Sequence, residues 1–374
     1  MKKKMVGCLL VMTMLCSLAV GCGSQKDAAK TADISKEETP ESDVSENEEN
    51  MHLTLGMAGT DIKATCVILA SQLGYYEEEG VDVDFEKISN LADALTAVSE
   101  DKLDVLPFGV IPSCSYISQG VDVVMIGGTI SEGSEAIVTK ENAKHFRSLE
   151  DFEGAKIGCF RMETGHMVMR GLLREAGFDV NKDMEFIYLD SQSSILEAVE
   201  KGEVDIGFVN SGYGYVAQQA GVEVAFQVGD YNEGFPCCRQ TTSRNCIDTK
   251  RDALLAYEIA NLRAYKVYME DKETTVKELM EYCGQDEDYV SNVLYGSDTY
   301  DNAMIVSLDP NKNRVSEFYD VMKANGDIDA STTYDVNDNI DITIYGDALK
   351  TMMEREPDSE IYQTLYEEYE KNNL

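Results

Sequence analysis

The sequence predicts an α/β protein of two similar lobes, each a mostly parallel sheet flanked by helices, joined by a hinge of two crossovers. Three observations carry this. Short apolar strands alternate with helical stretches from Met51 to about Val228. The alternation repeats internally with an ungapped offset of 101 residues. The length of 374 residues exceeds one simple core and suits about two domains.

In chain order, His52–Ala58 is a short strand-like run and Ala64–Glu78 a helical stretch. Val81–Lys87 alternates apolar and polar residues as a strand, and Leu91–Ser99 is a helix. Asp104–Phe108, Pro112–Gln119 and Val121–Gly127 follow as strand, helix and strand. Strands alternating with helices form βαβ units. The pattern then restarts. An offset of 101 pairs Phe85 with Phe186, Leu95 with Leu196, Ala97 with Ala198 and Val98 with Val199. It also pairs Asp104 with Asp205, Gly120 with Gly221, Val123 with Val224 and Gly128 with Gly229. Glycines, acids and apolar residues agreeing without a gap mark a duplicated unit of strand, helix, strand, helix, strand. The chain crosses after Gly127-Gly128 and returns after Val228-Gly229. Lobe 1 is therefore expected from residues 51–130 and 238–374, with a mostly helical C-terminal part, and lobe 2 from 131–237.

The N-terminus is read as an address. Lys2, Lys3 and Lys4 precede an apolar run from Met5 to Val20, the pattern of a secretory signal over residues 1–21. The run is shorter than the roughly 20 residues that span a bilayer. Leu18-Ala19-Val20-Gly21-Cys22 resembles a bacterial lipobox, with Ala19 where a larger aliphatic residue is usual, so Cys22 is the candidate for lipidation. An ordinary cleaved signal is the alternative. Residues 22–50 hold almost nothing apolar and are expected to be a disordered acidic tether.

Sixty-nine acidic against 32 basic residues give a formal charge of −37. Such a chain lacks the Lys and Arg that displace counterions from phosphates, which excludes nucleic acid as a partner. Ten cysteines are present; Cys8 and Cys16 leave with the signal and Cys22 is spent on lipid, so seven remain and a complete disulfide framework is impossible. No zinc-type spacing occurs, and neither a metal nor a cofactor is expected. The vicinal Cys237-Cys238 can bind soft metal, bridge under strain, or pack as small buried residues.

In open parallel sheets ligands sit outside the carboxyl ends of the strands, so the strand-to-helix junctions supply the candidate ligand residues. In lobe 1 these are Thr60, Asp61, Phe108, Gly109 and, at the crossover, Ser131. In lobe 2 they are Phe160, Arg161, Thr164, Gly165, His166, Asn210 and Ser211. The return crossover adds Cys238 and Arg239. Helix N-termini there offer free N–H groups. Thr164 is either a plain N-cap or both cap and ligand group. Arg161 and Arg239 suit bidentate contact with an oxyanion, against the alternative of solvated surface pairs. Asp61 either takes an ammonium or caps the next helix. His166 either donates to an anion or is an ordinary helical His. Tyr213 and Tyr215 either stack on a planar ligand or pack in the core. No nucleophile triad, carboxylate dyad or P-loop can be placed.

Leu73–Val83, reading LGYYEEEGVDV, is similar to the "GYFKKEGLDV" stretch of the NMT1/THI5-like group of type II substrate-binding proteins from bacterial ABC importers. Lys102–Val105 and Glu203–Ile206 match that group's strand starts, and Leu149–Gly158 resembles its "DLKGKKIGV" entry to the second lobe. The group includes nitrate, taurine and alkanesulfonate binders. The resemblance implies a type II periplasmic-binding-protein fold, a ligand held between the lobes by hinge closure, no catalysis, and an ABC permease with its ATPase as partners. It places the chain outside the cytoplasm, lipid-anchored to the membrane face. The implied ligand is a small organic nitrogen or sulfur compound, sulfonate- or taurine-like or pyrimidine-precursor-like. Two alternatives stay open: a ligand-presenting receptor subunit for a membrane sensor, and a THI5-like pyrimidine-precursor synthase. That branch carries a CCCFC motif, whereas Cys237-Cys238 is followed by Arg239-Gln240.

Overall fold

The computed structural model describes residues 50–374. The expected leader, Cys22 and the tether up to residue 49 lie outside the described residues. Two sheets organise the rest. The first contains β1 (His52–Met57), β2 (Asp82–Lys87), β3 (Val105–Leu106), β4 (Val123–Ser131), β10 (Pro236–Ser243) and β11 (Ile305–Val306), in the order β11-β4-β10-β3-β1-β2. The second contains β5 (Ser134–Val138), β6 (Lys156–Cys159), β7 (Glu185–Tyr188), β8 (Ile206–Asn210) and β9 (Glu223–Gln227), in the order β7-β6-β8-β5-β9.

The duplication is visible in the elements. Adding 101 to the bounds of α3 (Leu91–Ser99) gives 192–200, the bounds of α6 (Gln192–Glu200). Their N-caps, Asn90 and Ser191, are related by the same offset, and each side chain accepts from the first turn of its helix. Asp104 and Asp205 also repeat one task. Asp104 Oδ2 accepts from the Thr54 N–H of β1 at 2.8 Å, and Asp205 Oδ2 from the Lys156 N–H of β6 at 2.8 Å. Each carboxylate satisfies a strand N–H next to its own strand, which is why an acid recurs there.

Within each lobe the βαβ strands pair parallel, β1 with β2 and β3, and β6 with β7 and β8. The antiparallel members are the short β11, on β4, and the strands that arrive across the hinge. β5 inserts antiparallel between β8 and β9, and β10 inserts antiparallel between β3 and β4. Cys238 and Arg239, expected in the return crossover, lie within β10. The two crossovers touch. Glu132 accepts from the Gly234 N–H at 2.5 Å through its carboxylate and donates its own N–H to Phe235 O at 2.9 Å. Its φ of 53° is left-handed, a strained conformation for a glutamate.

The expected helix over Ala64–Glu78 is two pieces, α1 (Thr65–Gln72) and α2 (Tyr75–Glu78), because Gly74 takes a φ of 73° and breaks the run. The C-terminal part is helical as expected: α8 (Arg244–Glu270), α9 (Lys272–Cys283), α10 (Glu287–Tyr295), α11 (Lys312–Asn325), α12 (Thr343–Arg355) and α13 (Glu360–Asn373). α8 packs on α1 and α12 over the first sheet. This part also reaches lobe 2. Against α5 (Thr164–Glu175), Arg170 Nη1 meets Asp327 Oδ1 at 3.0 Å and Asn325 Nδ2 donates to Met167 O at 2.9 Å. One apolar core runs through both lobes, with a smaller cluster around Ile195 and Val199 under α6. Among the described residues no helix is long and apolar enough to cross a membrane.

Candidate ligand cleft

The carboxyl ends of both parallel sets face one another, and a cavity of about 160 Å³ lies between them. Lobe 1 supplies Ala58, Asp61, Lys63, Leu91, Phe108 and Gly109–Pro112; lobe 2 supplies Phe160, Met162, Thr164 and Asn210; Cys237 and Cys238 of β10 form part of the wall. The wall is mostly apolar, with a few polar groups converging on it, the usual composition of a small-molecule site.

The polar groups are specific. Asp61 caps the turn after β1, its Oδ1 accepting from Lys63 N at 2.9 Å and its Oδ2 holding Lys63 Nζ at 3.1 Å. Of the two roles weighed for Asp61, the cap is thus present. Burial disfavours the Lys63 ammonium, but the Asp61 carboxylate and then the thiols of Cys238 and Cys237 outweigh it and hold its pKa above the ordinary value. The two thiols lie 3.8 Å apart and are free, as are all seven cysteines among the described residues. Hydrogen bonding from Cys237 lowers the Cys238 thiol to about 7 against burial, helped by Lys63 and the Gly109 N–H, while Cys237 is pushed up. Gly109 reaches that position with a φ of 78°, and a Cβ there would sit 2.9 Å from Pro112 Cγ. Thr164 Oγ1 is buried with no partner in the protein.

Two helix N-termini expected to face an anion are already occupied. Glu163, not Thr164, caps α5: its carboxylate accepts from the N–H groups of Gly165 at 2.6 Å and His166 at 2.7 Å. Gly165 therefore has no free N–H for a ligand and lies outside the cavity wall. A Cβ on it would fall 2.0 Å from Ser134 Oγ, so glycine is needed for close packing of α5 on β5. At α7 (Tyr213–Gln219), Glu135 Oε2 accepts from Gly214 N at 2.9 Å. A carboxyl group at each N-terminus occupies donors that an incoming anion would need.

Arg239 requires a correction. Its side chain is wholly buried in the first sheet, with Nη1 on Ile130 O at 3.1 Å and Cys238 O at 2.9 Å. Nη2 reaches the hydroxyl of Ser131 at 3.4 Å. Neither residue is on the wall of the central cavity; the strand register shifts between Cys238 and Arg239, so Cys237 and Cys238 both meet the cleft while Arg239 is buried within the sheet. Arg239 and Ser131 tie β10 to β4.

The remaining candidates fall into two side compartments. One of about 310 Å³ is walled by Thr60, Asp61, Lys63, Asn210, Ser211 and Tyr213, among others, and shares Ala58, Asp61, Lys63 and Asn210 with the central cavity. The other, of about 260 Å³, is walled by Arg161, His166 and Tyr188 and shares Ile111. Tyr215 packs edge-on against Tyr289 and Tyr300, the core alternative for that residue. Lys63 and Glu163 were not anticipated. Each lies within a few residues of a strand end, and that position is the signal the sequence offered. No group of three or more metal-ligating side chains occurs among the described residues.

A two-lobed α/β fold with a hinged inter-lobe cleft is the architecture of the type II periplasmic binding proteins. The NMT1/THI5-like family model matches residues 61–275, which is 215 of 374 residues, and the chain belongs to that family. A Brucella abortus (strain 2308) protein named as a binding protein is 27% identical over 148 residues, 39% of this chain and 43% of the relative. The 4-amino-5-hydroxymethyl-2-methylpyrimidine phosphate synthase of Schizosaccharomyces pombe is 23% identical over 141 residues, 38% and 39% of the two chains. The chain thus spans less than half the length of these curated relatives. The periplasmic aliphatic sulphonate binding protein SsuA of Escherichia coli superposes with a TM-score of 0.65 at 16% identity, covering 79% of this chain and 98% of that one. The periplasmic nitrate-binding protein NrtA of Synechocystis PCC 6803 gives 0.64 at 16%, covering 81% and 89%. At such identity the likeness shows the fold.

Proposed function

We propose that the protein is the extracytoplasmic substrate-binding component of an ABC importer. It captures a small organic nitrogen- or sulfur-containing solute between its lobes and presents it to a permease driven by an ATPase. Lobe 1 comprises 51–130 and 238–374 and lobe 2 comprises 131–237, closing about the crossovers at Glu132 and Gly234. Residues 1–21 are a signal, Cys22 carries lipid, and the acidic stretch to residue 50 is the tether to the outer face of the membrane. The observation that carries the reading is a cavity walled by both sheets and by β10 of the hinge. Closing the lobes changes that wall on every side, so ligand and closure are linked.

The wall itself narrows the solute. Apolar side chains dominate, the Asp61–Lys63 pair is neutral in sum, and Asn210 and Thr164 offer hydrogen bonds. A compact, largely planar or aliphatic body with one or two polar atoms fits; a bare inorganic anion does not. A thermal-shift screen against alkanesulfonates, aminosulfonates, nitrate and pyrimidines tests this, because a ligand of the folded state alone raises the melting temperature. A melting temperature indifferent to all of them removes the reading.

The two thiols on the cavity wall and the S. pombe relative favour a second reading, a synthase acting on a pyrimidine precursor. Mass spectrometry of the ligand released after incubation separates the two. A binder returns it unchanged.

A further inference from the structure

Beyond Ile111, the 260 Å³ compartment holds polar groups whose bonding is incomplete. Its walls include Ser115, Arg161, His166, Tyr188 and Asp327. Arg161 lies over the Tyr188 ring, 4.8 Å from its centre. No ion pair among the described residues includes it, although the chain carries 69 acids. His166 is fully buried, with Nδ1 3.2 Å from Glu163 Oε2 and Nε2 without a partner. Asp327 sets Oδ1 on Arg170 Nη1 at 3.0 Å, and its Oδ2 is buried without a partner. Two buried polar atoms without a protein partner thus converge with an unpaired guanidinium on one compartment, where a polar ligand would satisfy them.

The charges around the compartment select that occupant. Arg161 and Arg170 are balanced by Glu163 and Asp327, so these four side chains sum to zero. A bare anion would meet Arg161 but also the lone pairs of Asp327 Oδ2. A bare cation would meet the reverse conflict. We infer that this compartment seats the head of an amino-carboxylate zwitterion. Its carboxylate lies on the planar guanidinium of Arg161, and its ammonium donates to Asp327 Oδ2 and His166 Nε2. The inference rests on the proposed function for the body of the solute, which would extend past Ile111 into the central cavity, and it adds the class of head group.

Calorimetric titration of the full chain with glycine, β-alanine and 4-aminobutanoate, and with acetate and ethylammonium as half-ligands, tests it. Alkylation of Cys237 and Cys238 by N-ethylmaleimide, read in parallel, reports on the central cavity. An amino carboxylate should bind at least about tenfold tighter than either half-ligand. Arg161→Ala, at an exposed position, should weaken it by at least about tenfold, and so should the near-isosteric Asp327→Asn. Equal binding of acetate, or full affinity in Arg161→Ala, overturns the inference. So does binding that protects the thiols yet ignores Arg161, which would place the probe in the central cavity and leave the proposed function standing. If no probe binds while a compound of the thermal-shift screen does, the head-group assignment alone fails.

Discussion

Glu135 joins three parts of the chain and titrates within the physiological range. It sits in β5, fully buried, taking the Tyr300 hydroxyl on Oε1 at 2.5 Å and the Gly214 N–H on Oε2 at 2.9 Å. Burial raises its pKa from 4.5 to about 7, the two donors opposing the rise. Between these values the folded chain keeps a proton that the unfolded chain has released. Stability from this site is therefore fully present below 4.5 and is lost as pH rises through 7. At about 1.4 kcal/mol per pH unit the loss is about 3 kcal/mol. Glu135→Gln removes the titration and stays neutral at every pH, as the protonated carboxyl is, with its Nε2–H free to donate to the Tyr300 oxygen. Urea unfolding of both proteins from pH 4.5 to 8 reads the difference. The two proteins should be close in stability at pH 4.5, and the variant should gain about 3 kcal/mol on the native protein toward pH 8. A gap constant to within about 0.5 kcal/mol refutes the assignment.

Three further outcomes are expected. Lys63→Met should raise the pH midpoint of Cys238 alkylation by about one unit or more, since it removes a cation that favours the thiolate; an unmoved midpoint takes Lys63 out of the thiol's surroundings. Arg239→Met strips the Ile130 and Cys238 carbonyls of their donor and should cost about 3 kcal/mol in denaturant unfolding. An unchanged transition would contradict the hinge-sheet role. Glu163→Ala should cost about 1–2 kcal/mol as a lost cap. It should also make the melting temperature respond to sulfate, which the native α5 end resists; a sulfate response already present in the native protein would show the carboxylate is no barrier.

How much was legible depended on whether hydropathy carried the information. α3 and its copy α6 were readable because a three-to-four-residue apolar period survives duplication. β10 was not. Every residue of PCCRQTTS is buried, yet most are polar, and no alternation marks a strand whose two faces are both covered. Several of its polar groups bond sideways, while Gln240 Oε1 and Arg239 Nε have no partner in the protein. Gln240 Nε2 donates to Gly128 O at 3.0 Å, Thr241 shares a hydrogen with Ser113 at 2.8 Å, and Thr242 Oγ1 donates to Asp104 O at 2.6 Å. The same blindness sent Arg239 to the cleft on paper, because a charge reads as exposed until its carbonyl partners are seen. Lys63 carries no such pattern in the sequence, and only the fold shows it beside Asp61 on the cavity wall.

The placement of β10 also sets an order of assembly. β5 to β9 all lie within residues 134–227, so the second sheet can close on a continuous stretch of chain. The first sheet cannot. Its β3 and β4 are not joined into one sheet until residues 236–243 arrive between them, and β11 at 305–306 comes later still. A chain emerging N-terminus first thus has every strand of its second sheet before the first sheet is complete. The cleft acquires its thiol wall with the same strand that completes the enclosing sheet, so a half-built protein has no central cavity in which to trap solute.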